Sequence, residues 1–244
     1  MADDINVQQQ LNQLREQQSA ITAGINAMNE GRWLASDYGA ESLEAILMGL
    51  NPTWTNLAAR APLYQKPTPE PALNLVWIGS PNHYTGRAGQ AVVAIVVHTM
   101  AGTLTACDNW FRNPAAQVSS HFGIGLAGQQ HQYVRLQDGS WANGILESGN
   151  QWTRIVGNSV NPNYQTVTIE TEDNGSGSTP VSDAQYASTL AVARLALQTF
   201  PGIRYLMGHD IISPNSRNQC CGNRWWASGR FDQLARDLGL EGHH

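Results

Sequence analysis

Apolar positions near the start of the chain follow a strict spacing. Val7, Leu11, Leu14, Gln18, Ile21, Ile25 and Met28 step alternately by four and by three residues. That is the a/d seam of a heptad repeat with one polar position, and glutamines and asparagines fill the outer face. A helix packed only on its own domain shows a broader apolar stripe. The spacing therefore predicts a coiled-coil-like helix over residues 5–30 that self-associates or docks a partner, with simple docking on the rest of the chain as the alternative. A second amphipathic stretch, Glu41 to Leu50, is stopped by Asn51-Pro52. Residues 64–73, YQKPTPEPAL, alternate prolines and read as an extended spacer. The predicted organisation is an N-terminal helical segment over 1–63, a linker over 64–73 and a main domain over 74–240.

From Asn74 onward the period changes. Leu75 to Ile78 is a short apolar run. Ala91 to Val97, AVVAIVV, is nearly continuous and β-branched, the mark of a strand buried on both faces, and it ends at His98. Leu104 to Phe111 reads as a helix with Cys107 facing inward. His121–Leu126 and Gln130–Leu136 read as strands around the turn Ala127-Gly128. Gln165 to Glu170 alternates and is rich in β formers. Ser182, with Gln185 at the capping-box position, opens a helix running to Phe200. Tyr205–Met207 is a short strand, and Arg230–Leu238 a last helix. Strands and helices alternate, so the fold class is α/β: a mixed central sheet flanked by helices, preceded by the coiled-coil-like segment.

Composition narrows the function. The 244 residues are 41% hydrophobic but only 14% charged, with a formal net charge of −5. No Lys/Arg stripe is present, which argues against a nucleic-acid partner. No stretch reaches the roughly 18 apolar residues of a membrane span. The first residues lack the basic and apolar regions of a secretory signal, so the expected place of synthesis is a cytoplasm. The three cysteines, Cys107, Cys220 and Cys221, are an odd set with two adjacent, which suits reduced thiols or a metal rather than a disulfide framework.

Chemistry concentrates in Gly208–Gly222, GHDIISPNSRNQCCG. His98 and His209 each follow an expected strand, and carboxyl ends of strands are where α/β sheets build sites. Two imidazoles and a cysteine eleven residues after the second leave one tetrahedral position open, the pattern of a catalytic rather than a structural zinc. His121 and His131 are further candidates, although His121 begins an apolar strand and suits a buried hydrogen bond better. On the strand TVTIETE the alternation places Thr168, Glu170 and Glu172 on one side. Glu170, facing inward from an apolar strand, is the candidate general base. Arg217 is the lone cation of the 208–222 stretch and the candidate for stabilising an oxyanion.

These motifs, in this order, resemble the zinc-dependent N-acetylmuramoyl-L-alanine amidases, the type found in phage endolysins and related to peptidoglycan recognition proteins. The likeness covers about Leu75 to Leu238. It rests on VVHTM, on NWFRNPAAQVSSHFGIGLAGQQHQYV, on DGSWANG, on NYQTVTIETE and on GHDIISPNSRNQCCG. The resemblance implies His98, His209 and Cys220 as Zn2+ ligands, with Cys221 standing where the family has proline and as the alternative ligand. It implies Glu170 as the catalytic carboxylate, and Ser120, Trp141 and Asn143 as cleft residues. Two departures stand out. The loop before Cys220 is one residue longer than the family's, so that Arg217 stands near the position of a family lysine, and Trp141-Ala142-Asn143-Gly144 replaces a Trp-His-Ala-Gly loop.

The function expected from this resemblance is cleavage of the amide between N-acetylmuramic acid and L-alanine in peptidoglycan. The expected setting is a phage lytic protein, released at lysis or carried in the virion, with the heptads supporting a homo-oligomer or a virion partner. The rival readings are a peptidoglycan-binding module without turnover, a structural virion component on the same fold, and a Cys-His peptidase. The last would want its cysteine at a helix N-terminus rather than in a loop before glycine.

Overall fold

The computed structural model describes residues 72–175 and 177–244. The heptad segment, the helix expected over 41–50 and the proline-rich stretch as far as residue 71 lie outside the described residues. Among the described residues no helix is long and apolar enough to cross a membrane.

The elements follow in chain order. They are β1 (Leu75–Trp77), β2 (His83–Tyr84), β3 (Ala94–Thr99), α1 (Leu104–Arg112), β4 (Phe122–Ile124), β5 (Gln130–Gln132), β6 (Gly139–Ser140), α2 (Trp152–Val156) and α3 (Pro162–Gln165). After them come β7 (Thr166–Thr171), α4 (Asp183–Thr199), β8 (Tyr205–Gly208), α5 (Asn223–Trp226), α6 (Arg230–Leu238) and β9 (Glu241–His243). Seven strands form one sheet in the order β1-β5-β4-β7-β3-β8-β9, while β2 and β6 pair apart from it. Every neighbouring pair in the large sheet is parallel except β4 with β5, which a tight turn joins. The mixed sheet with flanking helices is the expected class. Gly242 and His243 supply most of the edge strand β9.

Side-chain alternation divides the sheet chemically. Ile95 and Val97 of β3, Val167 and Ile169 of β7 and Leu206 of β8 point to one face, where they pack in one core cluster with Leu190, Val192 and Ala193 of α4 and Phe231 and Leu234 of α6. Each fully buried aliphatic side chain of this layer contributes about 1.5–3 kcal/mol. The opposite face carries Ala94, Val96 and His98 of β3 beside Thr166, Thr168 and Glu170 of β7, in that register. Ala94 and Val96 pack there with Met207, Trp152, Ile211 and Ile212. β3 is thus buried on both sides, as its run of β-branched residues requires. β7 has an apolar face and a polar face, as its alternation requires.

Ser182 caps α4, its hydroxyl accepting from the Gln185 backbone N–H at 3.0 Å. The reciprocal half of the expected capping box does not form. The Gln185 side chain instead donates to the Ile124 and Glu172 carbonyls and accepts from Arg224, tying the helix to the sheet.

Candidate active site

β3, β7 and β8 end side by side, and their ends deliver the reactive groups. His98 is the fifth residue of β3 and Glu170 the fifth of β7, and the two are register partners. Parallel pairing therefore sets imidazole and carboxylate on one face, with His98 Nδ1 3.9 Å from Glu170 Oε1. His209 opens a single 3₁₀ turn directly after β8. Its ring stands edge-on to that of His98, with centroids 4.5 Å apart. The loop from Ile212 returns to the same place, because the Cys220 carbonyl accepts from the Asp210 N–H at 3.2 Å. One ligand atom from each of His98, His209 and Cys220 lies within 4.8 Å of the others, and among the described residues this is the group of three that could hold a metal ion.

The adjacent cysteines are not equivalent. Cys220 faces the histidines, whereas Cys221 is fully buried in the core cluster that also holds Trp225. The peptide bond between them is cis.

Burial sets the protonation of the cluster. It holds both imidazoles neutral: His98 is pushed well below the ordinary histidine value by desolvation and then by neighbouring His209. His209 falls to about 4 by desolvation, partly opposed by its bond to the Asn143 backbone. Burial, with Glu170 nearby, raises the Cys220 thiol to about 12. Burial also lifts the Glu170 carboxyl to about 7, against the opposing pull of the Arg217 cation. A carboxyl poised near neutrality can take and give a proton at physiological pH.

The remaining carboxylates of the strand are engaged elsewhere. Glu172 accepts from the Leu126 N–H at 3.0 Å. Asp173 is buried and accepts from the Gly175 N–H at 2.7 Å. His121 forms the buried hydrogen bonds expected of it, to Arg87 and to Thr168. His131 pairs with Asp108 at 2.9 Å.

A cleft of 520 Å³ opens beside His209, lined among others by Tyr84, Trp141, Asn143, Glu147, Ser216 and Arg217. Trp141 meets Tyr84 edge-on at 5.6 Å, and Tyr84 leans on Tyr164 at 4.6 Å, which makes one wall aromatic. Arg217 forms the other wall, exposed on the loop before Cys220. Of the three residues expected in the cleft, Trp141 lines it. Ser120 is fully buried, its hydroxyl donating to Thr168 Oγ1 at 3.0 Å, so it presents nothing to a ligand. Asn143 is among the residues around the cleft but is fully buried, its side-chain amide donating to Thr166 Oγ1 at 2.8 Å.

Two contributors escaped the sequence reading. Tyr84 sits on a two-residue strand with no periodic signal. Glu147 accepts from the Asn215 N–H at 2.7 Å, from the Ser216 N–H at 3.1 Å and from the Ser216 hydroxyl, clamping the loop that carries Arg217. A separation of 68 positions between Glu147 and Asn215 hides that clamp from any motif.

Comparison with known proteins agrees with this architecture. A curated relative, N-acetylmuramoyl-L-alanine amidase A of Achromobacter lyticus, is 28% identical over 95 residues, covering 39% of this chain and 45% of that protein. The chain thus matches about half the length of this curated relative. A crystal structure of AmpD superposes with a TM-score of 0.53 at 23% identity, covering 69% of this chain and 99% of that one. The structure of a point mutant of PlyL is also similar, with a TM-score of 0.49 at 16% identity over 69% of this chain and 100% of that one. Residues 88–223, more than half of the sequence and the whole span from before His98 to beyond Cys220, match the model of the N-acetylmuramoyl-L-alanine amidases, and the chain belongs to that family.

Proposed function

We propose that the protein hydrolyses the amide joining the lactyl group of N-acetylmuramic acid to L-alanine in peptidoglycan. The observation that carries this reading is the convergence of Glu170 with His98, His209 and Cys220 beside an open cleft that His209 lines.

The donor set fits Zn2+. Two imidazoles and a sulfur are the ligands zinc prefers, and three protein donors leave a position for chemistry. Burial already keeps both imidazoles in the neutral form that binds metal. His98, His209 and Cys220 would hold the ion, which when bound supplies Lewis acidity toward the scissile carbonyl.

Glu170 takes a proton from the attacking water as the water oxygen bonds to the carbonyl carbon. It returns that proton to the alanine nitrogen as the carbon–nitrogen bond breaks, so the carboxylate ends as it began. Arg217 faces the negative charge that develops on the carbonyl oxygen. The aromatic wall of Tyr84 and Trp141 offers apolar faces to the substrate, and the Arg217 side offers charge.

A phage lytic role, and assembly or virion attachment through the heptads of residues 5–30, are further proposals that rest on the sequence pattern. Sedimentation of residues 1–66 tests the assembly; a monomer at high concentration counts against it.

Digestion of purified cell walls with and without a chelator, reading the L-alanine amino termini released, tests the enzymatic reading. Release that is lost on chelation and restored by zinc supports it. Release unaffected by chelation and by Cys220→Ala would falsify the zinc mechanism.

A further inference from the structure

Asn143 sits at the back of the site, and its bonding is fully directional. Its backbone N–H donates to Asn163 Oδ1 at 2.9 Å, which fixes the loop. Its carbonyl accepts from His209 Nε2 at 3.1 Å. Its side-chain amide donates through Nδ2 to Thr166 Oγ1 at 2.8 Å. The Thr166 hydroxyl spends its own proton on the Pro162 carbonyl at 2.9 Å, so it can only accept from Asn143. That settles which way the amide faces: Nδ2 toward Thr166, Oδ1 toward the site. The Asn143 side chain lies close enough to the His98 imidazole to favour its protonated form, against the larger lowering by burial. Asn143 Oδ1 and His98 Nε2 are both buried, and neither makes a hydrogen bond to any group in the structure, so each is a polar atom left to be satisfied.

We propose that Asn143 is the positioning residue for both histidines, its backbone carbonyl fixing the His209 ring and its side-chain oxygen fixing the His98 ring, rather than a substrate contact. An acceptor at each Nε2 would hold a proton there and leave the lone pair of Nδ1 for a ligand; His98 Nδ1 lies on the Glu170 side, 3.9 Å from Oε1. One residue thus sets the tautomer of two ligands, and Thr166 sets the orientation of that residue. Outer partners of this kind orient ligands and raise their basicity. The inference rests on the zinc reading given above.

The test is metal affinity, measured on the full chain by competition with a chromophoric zinc chelator, with the visible spectrum of the Co2+-loaded protein as a second readout. Asn143→Leu should weaken zinc binding by about 10- to 100-fold and alter the Co2+ bands. Asn143→Asp, which keeps an oxygen facing His98, should recover most of that affinity. Thr166→Val, which releases the amide to turn over, should weaken binding in the same direction, and it decides the matter if Asn143→Leu does not fold. Affinity within about twofold of wild type in the folded variants, with unchanged Co2+ bands, overturns the positioning role and leaves the zinc reading intact. Failure of the wild-type protein to bind zinc overturns both.

Discussion

His98 and Glu170 face each other across adjacent parallel strands, with Nδ1 and Oε1 3.9 Å apart and burial holding the imidazole neutral and lifting the carboxyl to about 7. If Glu170 moves the proton, Glu170→Gln should lower kcat by about 10²–10⁴-fold with little change in KM. Zinc affinity should be retained, because the variant leaves all three donors in place. Steady-state kinetics beside a chelator titration checks both halves.

The same burial makes Glu170 a cost to the metal-free fold. Its pKa of about 7 lies above the ordinary value of 4.5, so ionisation is disfavoured in the folded state. The stability linked to this group is complete below about pH 4.5 and is lost as pH rises through 7. Metal-free Glu170→Gln lacks that loss. It should match the wild type near pH 4.5 and exceed it by about 3 kcal/mol above about pH 8, from roughly 1.4 kcal/mol per pH unit. Urea denaturation of the metal-free proteins at the two pH values measures this, and a difference independent of pH would refute it.

Cys220 and Cys221 should respond oppositely to the same substitution. Cys220→Ala removes a donor and should abolish tight zinc binding while leaving the metal-free fold nearly as stable. Cys221→Ala opens space in the core and should cost about 1 kcal/mol of stability with zinc binding kept. Zinc content after dialysis, set beside the unfolding midpoint, separates the two.

Arg217 and Glu147 form a graded pair. Arg217→Ala should lower kcat by about 10²-fold through loss of charge facing the oxyanion. Glu147→Ala releases Asn215 and Ser216, and with them the loop that carries Arg217. It should produce a smaller loss in the same parameter. The double variant should be no worse than Arg217→Ala alone if the clamp acts through Arg217, whereas multiplicative losses would show that it does not.

Gly123 lies between Glu170 on β7 and His131 on β5 in the sheet register. A Cβ there would come within 2.6 Å of the Tyr133 hydroxyl, itself held by Asp108 at 2.7 Å. Gly123→Ala should therefore destabilise the protein by about 1–3 kcal/mol. Gly229→Ala, where a Cβ meets open space but φ is +70°, is the control that reports backbone strain alone. Equal thermal shifts for the two would show that crowding against Tyr133 plays no part.

Much of the fold was legible in local pattern. The unbroken β-branched run ending at His98 became a strand buried on both faces, and the Thr-Val-Thr-Ile-Glu alternation became a strand with one polar side. Ser182 and the apolar positions after it marked the longest helix among the described residues. These readings succeed because side-chain period and capping are properties of a few neighbouring residues. Alternation also singled out Glu170, since a carboxylate on an otherwise apolar strand calls for an explanation wherever the strand lies.

The tertiary structure decided the rest, because every deciding contact spans a long stretch of chain. Ser120 read as a cleft residue until packing set its hydroxyl against Thr168, 48 positions away. Asn143 read as a cleft residue, and its hydrogen-bond partners come from two distant segments, Asn163 and Thr166 on one and His209, 66 positions on, from the other. Which of two adjacent cysteines turns toward the histidines depends on the path of a loop clamped by distant Glu147. Residue type and spacing could say what chemistry was available; only the sheet register and the closing of loops from opposite ends of the domain could say which atoms meet.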